Sequence, residues 1–163
     1  MRTLHNIDLK NNESGFTLRW QDRLILSHSA DAPCLWIGAG EADIEMFRGN
    51  FSIKDKLNEK IALTDATVTQ QSAGWAIRFT RGDAVSATLL VGVDAEGRLE
   101  LKLKNDAASH NRIWLRLAAQ PDDHIYGCGE QFSYFDLRGK PFPLWTSEQG
   151  VGRNKQTYVT WQA

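Results

Sequence analysis

The residues best placed to do chemistry lie in one stretch, 126–145, which reads Tyr-Gly-Cys-Gly-Glu-Gln-Phe-Ser-Tyr-Phe-Asp-Leu-Arg-Gly-Lys-Pro-Phe-Pro-Leu-Trp. Gly127 and Gly129 flank Cys128 directly after an apolar run, a pattern that turns the backbone sharply and lets it approach another surface. Glu130 and Gln131 follow, a carboxylate and an amide able to hydrogen-bond hydroxyl groups. Phe132, Tyr134, Phe135, Phe142 and Trp145 add flat apolar faces beside them. Rings next to polar groups are what the rim of a sugar site needs. Glu130 and Gln131 are therefore the candidate substrate-binding residues, and a solvated or salt-bridged Glu130 is the plain alternative.

Other chemistries fit less well. Gly127-Cys128-Gly129 could open a dinucleotide fingerprint, but the third glycine position is Phe132 and no helical period follows. His5, His28, His110 and His124 lack metal-ligand spacing, which predicts surface or hydrogen-bonded structural histidines and no metal. No Gly-x-Ser-x-Gly, His-Glu-x-x-His or phosphate-loop motif occurs, so no cofactor is expected. Arg138 is expected to pair with Asp136 or Glu148, with anion binding as its other reading. Cys34 and Cys128 are expected as free thiols, because two cysteines in a chain with no signal-type segment more often stay reduced.

The elements that must hold this stretch read as strands and turns. Phe16, Leu18 and Trp20 alternate with Thr17 and Arg19 before a break at Gln21-Asp22, and residues 23–28 and 34–37 follow as further strands. Residues 39–47 have mixed period, and 51–54 alternate. Residues 55–63 are the one place a helix could form, since Leu57 and Ile61 sit four apart. Beyond that the period is two. Trp75, Ile77 and Phe79 form one face, the odd positions from Val85 to Val93 another, and Leu99, Leu101 and Leu103 a third, joined by 81–83 and 94–97 turns. Ile113, Leu115 and Leu117 alternate again. Of the six tryptophans, those inside strand patterns are expected in the core, with Trp145 exposed. The pattern predicts an all-β fold, an antiparallel two-sheet β-sandwich with at most one short helix.

At 163 residues the chain is read as one domain, 1–163, long enough to bury roughly 70% of its unfolded surface. The net charge of -1 without like-charge runs gives no footprint for nucleic acid or an anionic membrane. No apolar run approaches the span of a bilayer, and the N-terminus lacks a signal-type core, which predicts a cytoplasmic protein.

Residues 126–131, followed by Asp136-Leu137-Arg138-Gly139-Lys140, resemble the N-terminal β-sandwich domain of glycoside hydrolase family 31, which carries a Gly-x-Gly-Glu segment at this place. With 33–38 (Pro-Cys-Leu-Trp-Ile-Gly), 46–55 (Met-Phe-Arg-Gly-Asn-Phe-Ser-Ile-Lys-Asp) and 143–153 (Pro-Leu-Trp-Thr-Ser-Glu-Gln-Gly-Val-Gly-Arg), the text looks like the bacterial sulfoquinovosidase branch of that family. The resemblance implies a galactose-mutarotase-like sandwich packed on a (β/α)8 barrel, in a retaining α-glycosidase that releases sulfoquinovose from α-sulfoquinovosides. Both catalytic carboxylates would belong to the barrel, whose alternating strands and helices are not found here. The resemblance therefore implies no catalytic residue in this chain, inactivity of the 163 residues alone, and a truncation before the barrel. The partners implied are the sugar substrate and the barrel, with Glu130 and Gln131 walling the pocket. An edge or apolar face that a barrel would cover leads to an expectation of self-association. A stand-alone carbohydrate-binding module and a sugar-1-epimerase are the competing classes.

Overall fold

The computed structural model describes residues 6–12, 15–47, 50–83, 85–106, 108–127 and 134–140. They contain β1 (Ile7–Asn12), β2 (Gly15–Trp20), β3 (Arg23–Ser29), β4 (Leu35–Phe47), β5 (Asn50–Ala62), β6 (Asp65–Gln71), β7 (Gly74–Arg81), β8 (Val85–Val93), β9 (Leu99–Asn105) and β10 (Arg112–Leu115). Among the described residues there is no helix, and so none long and apolar enough to cross a membrane. The chain separates into two compact units: Met1–Glu41 with Lys56–Ala119, and Ala42–Asp55 with Gln120–Ala163. β4 and β5 contribute residues to both.

In the first unit, β1-β2-β3 form an antiparallel sheet in sequence order. The period of two sends Phe16, Leu18, Leu26 and His28 inward and leaves Arg19 and Arg23 outside. The β2–β3 loop is only two residues, Gln21 and Asp22, and both take positive φ, 49° and 66°. That is the turn whose twist matches paired strands, although Asn-Gly is the sequence that adopts it without strain. Arg19 Nη1 donates to the Asp22 carbonyl at 2.7 Å and the Gln21 N–H to the Asn6 carbonyl at 2.9 Å, holding it.

A meander, β6-β7-β8-β9, supplies the second wall of the core. Ile77 pairs with Leu89 and Phe79 with Ala87, all fully buried, and Leu103 faces Leu89 from β9. Each such large side chain contributes about 1.5–3 kcal/mol by leaving water. Gly74 opens β7, with φ +150°, where an added Cβ would lie 1.9 Å from the Val91 carbonyl oxygen. The third sheet has the order β10-β4-β5. Leu35 and Ile37 point into the core, while Trp36, opposite Trp114, points outward; the Lys60 ammonium lies 5.4 Å and 4.7 Å from their ring centres.

Two expectations change. The segment 55–63 is mostly strand, the second half of β5, and Leu57 is exposed there, so its spacing from Ile61 recorded no buried helical stripe. None of the four described tryptophans is fully buried: Trp20 and Trp75 pack against the core from its edge, and Trp36 and Trp114 carry Lys60. Among the described residues the strands pair in three antiparallel ladders, β1-β2-β3, β10-β4-β5 and β6-β7-β8-β9, in keeping with the expected galactose-mutarotase-like β-sandwich. Cys34 is a buried free thiol; Cys128, Trp145 and Trp161 lie outside the described residues.

Candidate functional site

The second unit holds the stretch singled out above. Glu130 and Gln131 lie outside the described residues, as do Phe132 and Phe142; the flanks, 120–127 and 134–140, are described. Those flanks are tied together by the Asp136 carboxylate. Its Oδ1 accepts the N–H groups of Ile125 (3.1 Å) and Arg138 (3.0 Å), and its Oδ2 lies 2.7 Å from His124 Nδ1. The Leu137 N–H donates to the Ile125 carbonyl at 2.8 Å, adding a backbone link. The hydrogen bond from His124, then those from Arg138 and Ile125, hold the Asp136 acid down at about 2. A carboxyl this acidic, with both oxygens occupied, is a poor proton donor or base.

Arg138 does something the sequence did not announce. Its guanidinium donates to the carbonyls of Gln120 and Asp123, the latter at 2.8 Å, rather than pairing with the Asp136 carboxylate. The Asp123 carboxylate closes the same turn by accepting the Gln120 N–H at 2.7 Å. Expected as an ion-pair partner, Arg138 is a brace for a turn; Glu148, its other expected partner, lies outside the described residues. Leu137 is buried between these polar anchors in sequence, and the Lys140 N–H caps its carbonyl at 3.0 Å.

On this frame stand exposed rings. Phe135 is 88% exposed and its ring centre lies 5.0 Å from that of Tyr126, itself more than half exposed. His124 stacks on Tyr126 at 6.0 Å, and the Lys140 ammonium sits 4.8 Å from the Tyr134 ring centre. Large apolar faces are usually withdrawn from water, so these exposed rings are candidates for a surface that meets another molecule. His124 is matched with Asp136 here, an exposed pair fixed by structural bonds, which does not supply the free carboxylate an epimerase needs. Among the described residues no three His, Cys, Asp or Glu side chains gather as metal ligands.

The sequence matches, over residues 9–161, the family described as the glycosyl hydrolase 31 N-terminal galactose mutarotase-like domain. The chain belongs to this family. Within it, the domain is 76% identical over 154 residues to the sulfoquinovosidase of Escherichia coli K12, covering 94% of this chain and 23% of that protein. It is 42% identical over 158 residues to the sulfoquinovosidase of Agrobacterium fabrum, covering 93% and 22%. A solved structure of a GH31 family sulfoquinovosidase from E. rectale, in complex with the aza-sugar inhibitor IFGSQ, superposes with a TM-score of 0.72 at 38% identity, over 93% of this chain and 22% of that one. This galactose mutarotase-like domain thus spans between a fifth and a quarter of the length of each relative.

Proposed function

We propose that this chain serves as the N-terminal domain of a retaining α-glycosidase that hydrolyses α-sulfoquinovosides to sulfoquinovose. The observation that carries the reading is 76% identity, over nearly the whole chain, to a sulfoquinovosidase. In this reading a nucleophilic carboxylate and an acid/base carboxylate from the rest of the enzyme perform the double displacement. The domain packs on that catalytic part and lends the Gly127–Gln131 turn to the substrate pocket. Glu130 accepts hydrogen bonds from sugar or aglycone hydroxyls, Gln131 supports it, and the rings of Tyr126 and Phe135 are rim surface beside them. The rigid frame built by Asp136 and Arg138 favours such a role, because a binding turn needs fixed ends. Without its catalytic partner, the domain leaves Phe135 and the Ile44, Met46 and Phe47 side chains in water, and we expect it to self-associate.

The test is turnover of a chromogenic α-sulfoquinovoside by the full-length enzyme beside the 163-residue chain alone. The reading requires activity in the first and none in the second. Activity in the short chain would place the catalytic carboxylates within it and overturn the division of labour. Sugar binding by the short chain in titration calorimetry, with no turnover by the long one, would favour a stand-alone binding module.

A further inference from the structure

His28 is the one buried polar side chain in the described core, and both of its ring nitrogens are engaged. Nε2 lies 3.1 Å from the Thr64 carbonyl oxygen. A carbonyl only accepts, so Nε2 carries the hydrogen. Nδ1 then faces inward as an acceptor and receives the Cys34 N–H at 3.3 Å, with the Cys34 sulfur at 3.6 Å. The ring is sandwiched: Phe16 stacks on it at 5.5 Å and Phe79 meets it edge-on at 5.2 Å. Cys34 is itself a junction, because its carbonyl accepts the Arg116 N–H at 2.8 Å, and the next residue, Leu35, accepts the Leu63 N–H at 3.0 Å. One imidazole therefore joins β3, the entry to β4 and the residue before β6.

We propose that His28 is an acid-labile pin: uptake of a proton from solvent at Nδ1 detaches Cys34 from β3 and loosens this junction. The added proton turns the acceptor into a donor facing another donor, the Cys34 N–H. It also places a charge between two phenyl rings with no carboxylate in hydrogen-bond contact. The ionisable groups that bear on the ring are Asp65, which favours the charge, Arg116, which opposes it, and Cys34, whose thiol burial pushes up to about 12 and keeps neutral. Burial outweighs them and lowers the histidine below its ordinary value. The folded protein then holds fewer protons at this site than the unfolded chain. Stability from the pin is complete above the ordinary histidine value of about 6.5 and is lost as pH falls through the folded value.

The test is the unfolding equilibrium in urea at a series of pH values from 8 to 5, for the wild type and His28→Asn, whose side-chain oxygen can keep an acceptor near Cys34 without titrating. The wild-type unfolding constant is expected to climb, relative to that of the variant, by up to about tenfold per pH unit below 6.5. His5, His110 and His124 are common to both proteins and cancel. Equal pH slopes would overturn the proposal. Should His28→Asn fail to fold, ring-nitrogen NMR of the wild type decides. A His28 ring that becomes imidazolium in step with loss of Cys34 amide protection supports the pin; an imidazolium signal with Cys34 still protected, or Cys34 protection lost or kept over the whole range while the ring stays neutral, overturns it.

Discussion

At the scale of single residues, Asp136 and Glu130 are two carboxylates with opposite assignments. Asp136 is structural: it gathers His124, Ile125 and Arg138, and its acid is held at about 2. Since its folded value lies below the ordinary carboxylate value of about 3.9, its contribution is present above that value and fades as pH falls toward 2. Asp136→Asn, which weakens the bond to His124, is expected to lower the melting temperature at pH 7 and to remove this acid-range dependence. A thermal-denaturation series between pH 7 and 2.5 checks both, and an unchanged profile would show that the carboxylate does not hold the frame. Glu130 is proposed to bind the sugar. A carboxylate accepting from a hydroxyl in a dry pocket contributes about 1.5–3 kcal/mol, so Glu130→Gln in the full-length enzyme is expected to lower kcat/KM by roughly ten- to a hundredfold. Unaltered kinetics would return Glu130 to a salt bridge or to solvent.

At the scale of elements, the tight turns give the clearest forecasts. Gln21 and Asp22 hold positive φ without being glycine, a conformation that costs an ordinary residue about 1–2 kcal/mol. Asp22→Gly is expected to stabilise the protein by about 1 kcal/mol, read as a higher urea midpoint at unchanged slope. Gly74 gives the opposite forecast: its φ of +150° and the 1.9 Å approach to the Val91 carbonyl leave no room for a side chain. Gly74→Ala is expected to destabilise by about 2 kcal/mol or more, and a neutral effect would mean that β7 and β8 do not pair as described. The faces of β7, β8 and β9 were legible in the sequence because one side of each strand meets the core, so Ile77, Phe79, Leu89 and Val91, all buried, and the partly buried Leu99, Leu101 and Leu103 repeat every second residue. Residues 55–63 were not, because β5 is exposed along much of its length and no buried face imprints a period on it. Arg138 was misread for a different reason: its partners are backbone carbonyls 15 and 18 residues away, and carbonyls leave no mark in a sequence. His28 was hidden likewise, its Thr64 contact lying 36 residues off.

At the scale of the whole molecule, a domain with an all-β core of its own still presents Phe135 and the apolar residues of the outer halves of β4 and β5 to water. That combination suits the proposed role of a domain working against a larger catalytic body; the chain spans under a quarter of its relatives' length. Static light scattering of the 163-residue chain is expected to show mass rising with concentration, with bound hydrophobic dye; a clean monomer that binds no dye would mean these faces need no cover. The division of labour proposed above puts the chemistry outside this chain and the specificity partly within it. The most direct measurement is kcat/KM of the full-length enzyme on an α-sulfoquinovoside and on the matching α-glucoside. The account predicts a preference for the sulfonated sugar of about tenfold or more, the worth of at least one charge-assisted hydrogen bond. Equal rates, or turnover of the glucoside alone, would contradict it.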